Sequence, residues 1–313
     1  MGWTISYLHS RNKNKLELMN TAIVTGATSF LGIELVARLT HEGFEVHVIK
    51  RTKSDITRLI SRVPDINIHT YNGTQRSLTN IFSTVRPDIV FHLAGKYVRE
   101  EGPEDIEELI ASNITFGSQI LAAASNSCVK NFINTGSYFQ FGNNKSLPIN
   151  FYGVAKNSFV NILDYYADLK KFSATSLIIF DTYGPGDWRS KLFPTIAKSI
   201  KHDLPLSIPK NEILIYPVYY ADVIDCYLLA AKKMVGNQTD IAGKIFAVRD
   251  DNPYKIHEII AAFEKISGEK ILIKYDDWPK SSKEIKSIWR GTTLPSWRPK
   301  YSLLQGIKSM LEE

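Results

Sequence analysis

From residue 20 onward, short apolar runs alternate with stretches in which apolar residues recur every three or four positions. The runs at 21–24, 45–49, 66–69, 89–93, 131–134 and 176–180 have the length and β-branched content of buried strands. Between them, 31–40, 106–124 and 158–169 carry the amphipathic spacing of helices. Strands apolar throughout and separated by helices predict an α/β fold, a doubly wound parallel sheet covered on both faces. After residue 181 the alternation loosens, and prolines and aromatics become more frequent. Residues 19–181 are therefore read as one domain, with 219–250 returning to it as a helix and a strand. Residues 182–218 and 251–313 form a smaller C-terminal lobe, and 1–18 are expected to be a disordered leader.

Composition narrows the function classes. The chain has 313 residues, 44% of them hydrophobic, which is ample for a sizeable core. Its 38 basic and 32 acidic residues give a net charge of +6, spread along the chain. No basic stripe with interleaved aromatics appears, so a nucleic-acid partner is not expected. No apolar run reaches membrane-spanning length, and none has the pattern of a secretory signal. Cys128 and Cys226 are isolated, with neither metal-site nor disulfide spacing, which suits a reducing cytoplasm and predicts no bound metal.

The first candidate chemistry lies directly behind the first apolar run, at Thr25-Gly26-Ala27-Thr28-Ser29-Phe30-Leu31-Gly32. Glycines at both ends of a strand-to-helix turn let the backbone close on a phosphate, whose charge the helix's first amides bind. A strand, a glycine turn and a helix in succession mark a dinucleotide site on a Rossmann-type sheet, with Gly26, Ser29, Phe30, Leu31 and Gly32 in contact. The second is Tyr152-Gly153-Val154-Ala155-Lys156 at the front of a helical pattern. Positions i and i+4 share a helix face, so phenol and ammonium point into one space, and the cation is expected to favour the phenolate. Ahead of them Ser137 ends the fifth apolar run, where a hydroxyl can hold a reacting oxygen.

These motifs, with His92-Leu93-Ala94-Gly95, Asn113, Tyr183-Gly184-Pro185-Gly186-Asp187, Tyr220-Ala221-Asp222-Val223 and Trp297-Arg298-Pro299, are similar in order and spacing to a known family. The chain resembles the extended short-chain dehydrogenase/reductases of the NAD-dependent epimerase/dehydratase group, from Met19 to Met310. The resemblance implies that Ser137, Tyr152 and Lys156 are catalytic, that the smaller lobe binds substrate, and that the substrate is a nucleotide-linked sugar. It implies further cofactor contacts at Asn72, Leu93, Ala94, Gly95 and Asn113. Tyr97, Ser137, Asp181, Lys191 and Phe193 are the substrate-side candidates, Phe193 either against a base or in the core. A homodimer through the helices at 106–124 and 158–169 is a further expectation.

Cofactor choice is read behind the second strand. Sites for NAD place an acid about 20 residues beyond the glycines, on the ribose hydroxyls. Here that place holds Lys50 and Arg51, which suit a 2′-phosphate, so NADP(H) is expected in preference to NAD(H).

The residues also sort the family's reactions. Its 4,6-dehydratases carry an acidic pair behind the catalytic hydroxyl, whereas Tyr138-Phe139 stand here. Together with the short spacing from Ser137 to Tyr152, this most resembles the 4-keto-6-deoxyhexose reductases of abequose or paratose type, implying a place in the biosynthesis of deoxysugars for surface polysaccharide such as the lipopolysaccharide O-antigen. One departure is Ile215, at the position of an arginine that clamps substrate phosphates in many relatives; Lys191, Lys201, Lys210 and Arg290 are candidate replacements. Three other readings stay open: a nucleotide-sugar epimerase, a reductase of a carbonyl compound without a nucleotide, and an NADPH-binding redox sensor.

Overall fold

The structure is a computed structural model that describes residues 20–98, 102–142, 147–169, 171–210, 213–236, 239–276 and 288–312. The expected leader at 1–18 lies outside the described residues. Strands β1 (Thr21–Thr25), β2 (Glu45–Arg51), β3 (Asn67–Tyr71), β4 (Ile89–His92), β5 (Asn131–Ser137) and β6 (Ser173–Ile179) follow in order. Four short strands come next: β7 (Asp181–Tyr183), β8 (Leu206–Pro209), β9 (Leu214–Ile215) and β10 (Pro217–Tyr219). Then come β11 (Lys244–Val248), β12 (Tyr254–Lys255) and β13 (Ile273–Asp276). The central sheet has seven strands in the order β11-β6-β5-β4-β1-β2-β3, every pair parallel. The strand order reverses between β1 and β4, and the crevice above their carboxyl ends is where such sheets bind ligands.

Helices α1 (Phe30–His41), α2 (Thr57–Arg62), α3 (Gln75–Val85), α4 (Asp105–Ile110), α5 (Phe116–Ser125) and α6 (Phe151–Asp168) link the strands up to β6. The sheet is buried on both faces, as the unbroken apolar runs predict. One core holds Val24, Leu35, Val48, Phe91 and Tyr227. The other holds Ile23, Phe82, Val90, Phe132 and Phe159. Each fully buried side chain of this size contributes about 1.5–3 kcal/mol.

The helix expected over 106–124 is not continuous. A π-helical turn, Ala111–Thr115, separates α4 from α5. Inside it the Asn113 side chain donates to the Leu109 carbonyl four residues back at 3.0 Å and to the Lys96 carbonyl at 2.9 Å. A side-chain amide that takes up a helix carbonyl competes with the backbone ladder, which favours the widened turn.

Helices α7 (Leu192–His202), α8 (Tyr220–Val235), α9 (Ile256–Ser267) and α10 (Leu303–Leu311) follow. A separate apolar cluster of Tyr183, Phe193, Ile196, Leu206, Tyr219, Ile259, Phe263 and Ile307 joins α7, α9 and α10 to the short strands. Asp222 on α8 ties this second core to the first. Its carboxylate accepts from the backbone N–H groups of Lys300 at 2.8 Å and Tyr301 at 3.1 Å, and its carbonyl accepts from the Trp297 indole at 3.0 Å. Only 1% of Asp222 is exposed, so its carboxylate depends on those amides in place of water. Asp222→Ala is expected to lower stability by about 3 kcal/mol, the loss of two bonds to a charged acceptor. A urea midpoint that falls with unchanged slope would show this; an unchanged midpoint would contradict the anchoring role.

Candidate active site

At the end of β1 the backbone of Gly26 turns into the left-handed region, with φ of 72°. A Cβ there would stand 2.6 Å from the Ala94 nitrogen and 2.7 Å from the Leu93 carbonyl carbon, so only glycine fits. Gly32 likewise leaves no room for a side chain against the Gly26 carbonyl, which seats α1 on the turn. Ser29 is the N-cap of α1: its hydroxyl accepts from the Gly32 amide at 3.1 Å and donates to the Gly26 carbonyl at 2.8 Å. Helix geometry gives the Phe30 and Leu31 amides no intrahelical acceptor, so they and the helix dipole face the crevice as an anion cradle. Beneath it, Thr25 Oγ1 shares a 2.9 Å hydrogen bond with His92 Nδ1 and accepts from the Ala94 amide at 3.3 Å. Burial and the nearby Lys156 charge push His92 down to about 3, so the ring is neutral.

The other carboxyl ends bring up the remaining cofactor candidates. Lys50 and Arg51 close β2; the ammonium of Lys50 lies 3.4 Å from the Arg51 and Thr52 carbonyls. Arg51 is exposed, 4.0 Å from Glu108. Asn72 follows β3 in an Asx turn, its carbonyl accepting from the Thr74 amide and hydroxyl. That oxygen is spent locally, and the side-chain amide is what Asn72 can offer a ligand. Leu93, Ala94 and Gly95 follow β4, with the Leu93–Ala94 backbone packed directly against Gly26.

Ser137 ends β5 and starts a single 3₁₀ turn (Tyr138–Gln140), where its amide donates to the buried Gln140 side chain at 2.9 Å. Asn150 caps α6 through the Gly153 amide at 2.9 Å, and Gly153 lets the helix lie against the Phe139 carbonyl. This packing brings Tyr152 into a hydrogen bond with Ser137. One turn further, Lys156 is 4% exposed and donates to the carbonyls of Thr135 at 3.1 Å and Ala94 at 3.5 Å. Burial pulls its ammonium down to about 8. The expected activation of Tyr152 by Lys156 is not what dominates. Burial pushes the phenol well above its ordinary value, only partly offset by the Ser137 hydrogen bond, and the nearby Tyr97 pushes the same way as burial. Tyr152 is therefore held as a phenol, a proton donor at neutral pH.

Gly95 sits where a Cβ would stand 2.6 Å from Asn113 Oδ1 and 3.0 Å from the Lys156 ammonium. That oxygen of Asn113 is buried and has no hydrogen-bond partner among the described residues. Two glycines with no space for a methyl, an unpartnered amide oxygen and free helix amides fit a dinucleotide with a polar ribose over Lys156.

On the substrate side, Tyr97 packs edge-on against Tyr152, ring centres 5.2 Å apart, and carries the Lys191 ammonium 3.9 Å over its face. Asp181 begins β7 and accepts from the Tyr138 hydroxyl at 3.4 Å. Tyr97, Ser137, Asp181 and Lys191 thus share one neighbourhood with Tyr152. Phe193 does not. It is stacked on Tyr183 at 4.1 Å inside the second core, because the first turn of α7 points it away from the crevice, and it is a packing residue. Ile215 is on β9 and also packs against that core.

Two participants are not evident from motifs. Thr135 holds Lys156 by its carbonyl and the buried Tyr227 hydroxyl by its own, at 2.6 Å. Tyr138 reaches Asp181 across 43 residues of sequence. Thr135 stands two residues ahead of Ser137 at the end of the fifth apolar run, and that place was its available signal. Nothing local announces Tyr138, since its partner is set by the tertiary fold. Among the described residues no group of three or more His, Cys, Asp or Glu could hold a metal.

The chain is similar to known proteins over most of its length. The NAD dependent epimerase/dehydratase family matches residues 22–243. CDP-abequose synthase of Yersinia pseudotuberculosis is 25% identical over 252 residues, 80% of this chain and 85% of that one. CDP-abequose synthase of Salmonella muenchen is 24% identical over 95% of this chain and 98% of its own. Among solved structures, the UDP-glucose 4-epimerase of Thermus thermophilus in complex with NAD has a TM-score of 0.80 at 19% identity. That alignment covers 93% of this chain and 98% of the epimerase.

Gly95→Ala tests the crevice. The added methyl must displace Asn113 or Lys156, and affinity for the reduced nicotinamide dinucleotide is expected to fall by about tenfold or more, ~1.4 kcal/mol, with an unchanged far-ultraviolet spectrum. Nucleotide fluorescence titration gives the value, and wild-type affinity would contradict the placement.

Proposed function

The chain belongs to the NAD dependent epimerase/dehydratase family, and we propose that within it the chain reduces a nucleotide-linked 4-keto-6-deoxy sugar at C4 with NADPH. The observation that carries the reading is a Tyr152 phenol hydrogen-bonded to Ser137, in a crevice whose far end is cationic at Lys50 and Arg51. Reduction of a carbonyl needs a proton donor at the oxygen, and a basic end of β2 suits a cofactor with a 2′-phosphate. The CDP-abequose synthases, similar along most of the chain, supply the substrate class.

In this mechanism the cofactor supplies the hydride. Gly26, Phe30, Leu31 and Gly32 would hold its diphosphate, Lys50 and Arg51 the 2′-phosphate, and Asn72 the adenine end. Leu93, Ala94 and Gly95 would line its path, and Asn113 and Lys156 would hold the nicotinamide ribose. Ser137 donates to the substrate carbonyl and fixes it in front of Tyr152. Tyr152 gives its proton to the C4 oxygen as the alkoxide forms. The Lys156 ammonium, positioned by Thr135 and Ala94, stabilises the resulting phenolate until solvent restores the proton. Tyr138 and Phe139 fill the place where elimination of water needs an acid; Tyr138 stacks on Phe180 at 5.0 Å, and Phe139 lies edge-on to Tyr152 at 6.2 Å. Lys191 is the charge we assign to the sugar's diphosphate in place of the arginine absent at Ile215.

We further propose a dimer through the helices at 106–124, which span α4 and α5, and 158–169 in α6. Ile110 on α4, Val154 and Tyr165 on α6, and Leu169 just behind it are exposed, the last two at 60% and 48%. Light scattering is expected to give twice 35.4 kDa, and a single-chain mass would contradict it.

NADPH oxidation at 340 nm with 4-keto-6-deoxy sugars on dTDP, CDP and GDP tests the activity. One carrier should support turnover, and Tyr152→Phe should lower kcat by about 10²–10⁴-fold, the usual contribution of a positioned proton donor. NADPH binding without turnover on any carrier would sink the proposal. Lys50→Glu with Arg51→Glu should erase a preference for NADPH over NADH of about tenfold or more. A preference left intact would move the 2′-phosphate elsewhere.

A further inference from the structure

The chain segment that follows β6 brings in the carboxylate of Asp181 at the start of β7. Asp181 is linked to Tyr152 by two routes. Its partner Tyr138 is the residue after Ser137, which bonds Tyr152. Its charged neighbour Lys191 lies over Tyr97, whose ring edge meets Tyr152. Two donors are committed to the carboxylate, the Tyr138 hydroxyl and the Tyr216 backbone N–H, and Lys191 and Arg189 act on it through their charges. Arg189 spends its guanidinium on a bidentate pair with Asp187, both contacts 2.7 Å, and on the Thr182 carbonyl.

A carboxylate offers about four acceptor sites, so two hydrogen bonds leave it about half served. Burial outweighs those donors and the two cations and pushes the carboxyl up to about 6. At neutral pH it is thus a mostly ionised acceptor with room for a further donor, linked through Tyr138 and Lys191 to the surroundings of Tyr152. A phosphate, bringing only acceptors and negative charge, is the wrong ligand for it, and a hydroxyl is the right one.

We propose that Asp181 determines specificity by accepting a hydrogen bond from a ring hydroxyl of the ketosugar, so the preferred substrate keeps a hydroxyl at C2 or C3, near its C4 carbonyl. This rests on the ketosugar-reductase reading above and adds to it which part of the sugar is read. The acceptor is the ionised form, so recognition is present above the carboxyl's pKa and is lost as pH falls through it.

The test uses wild type and Asp181→Asn at saturating NADPH, from pH 5 to pH 8. The substrates are the 4-keto-6-deoxy sugar on its working carrier and analogues lacking the C2 or the C3 hydroxyl. A group titrating near 6 passes from about 90% to about 10% ionised between pH 7 and pH 5. Wild-type kcat/KM should therefore fall about tenfold over that range, and the Asp181→Asn profile should be flat. At pH 7.5 one deoxy analogue should lose about tenfold in wild-type kcat/KM, and the loss should shrink in Asp181→Asn. Superimposable pH profiles for the two proteins, or both analogues turned over as well as the parent, would overturn the role of Asp181 and leave the reductase reading standing. No turnover of any ketosugar would overturn both. The analogue comparison on wild type needs no variant to fold.

Discussion

Backbone lies against backbone where β1 and β4 diverge, and the space between Gly26 and Ala94 is too small for a methyl group. From that contact the positions of both halves of the crevice follow. On one side, the Gly26 turn seats α1 through Gly32 and the Ser29 cap, and so aims the free amides of Phe30 and Leu31. On the other, the chain leaving β4 is pinned by Thr25 and His92 and delivers Gly95 to Asn113 and Lys156. A side chain at Gly26 would push the anion cradle off the chain leaving β4, and one at Gly95 would press on Asn113 and Lys156. The Thr25–His92 hydrogen bond is buried, neutral and local to this contact, which is why a histidine is tolerated between Phe116, Phe132 and Phe159.

Three ionisable groups around the crevice are displaced from their ordinary ranges by the same cause, removal from water. It draws Lys156 down to about 8, lifts the Tyr152 phenol, and lifts Asp181 to about 6. The outcome differs because the compensation differs. Lys156 keeps two carbonyl acceptors and stays mostly charged at pH 7. Tyr152 has Ser137 and remains a phenol. Asp181 has donors and cations around it and remains mostly ionised. The crevice is thus prepared to give a proton at one point, to hold positive charge behind it, and to accept a hydrogen bond across from it.

How much of this was legible in the amino-acid sequence depended on how local the cause was. The strands of the sheet showed as apolar runs because a parallel strand buries both faces, and Gly26 and Gly32 showed because a turn demands them. The Tyr152–Lys156 spacing showed because helical periodicity is a property of one segment. The π turn at Asn113 did not, since it depends on the Lys96 carbonyl from another segment. Nor did the fate of Phe193: the apolar face of α7 fits a crevice wall and a core equally well until Tyr183 and Phe263 are placed beside it. The activation expected of Tyr152 followed from charge proximity alone, and burial, a property of the whole fold, outweighs it.

The most direct test of net reduction at C4 is the fate of the hydride. With NADPH carrying deuterium at the transferable position, the product sugar examined by NMR should hold one deuterium at C4, and one NADP⁺ should form per sugar reduced. An isomerised sugar without deuterium and with no net oxidation of NADPH would contradict the account and place the chain among enzymes that return the hydride to their substrate.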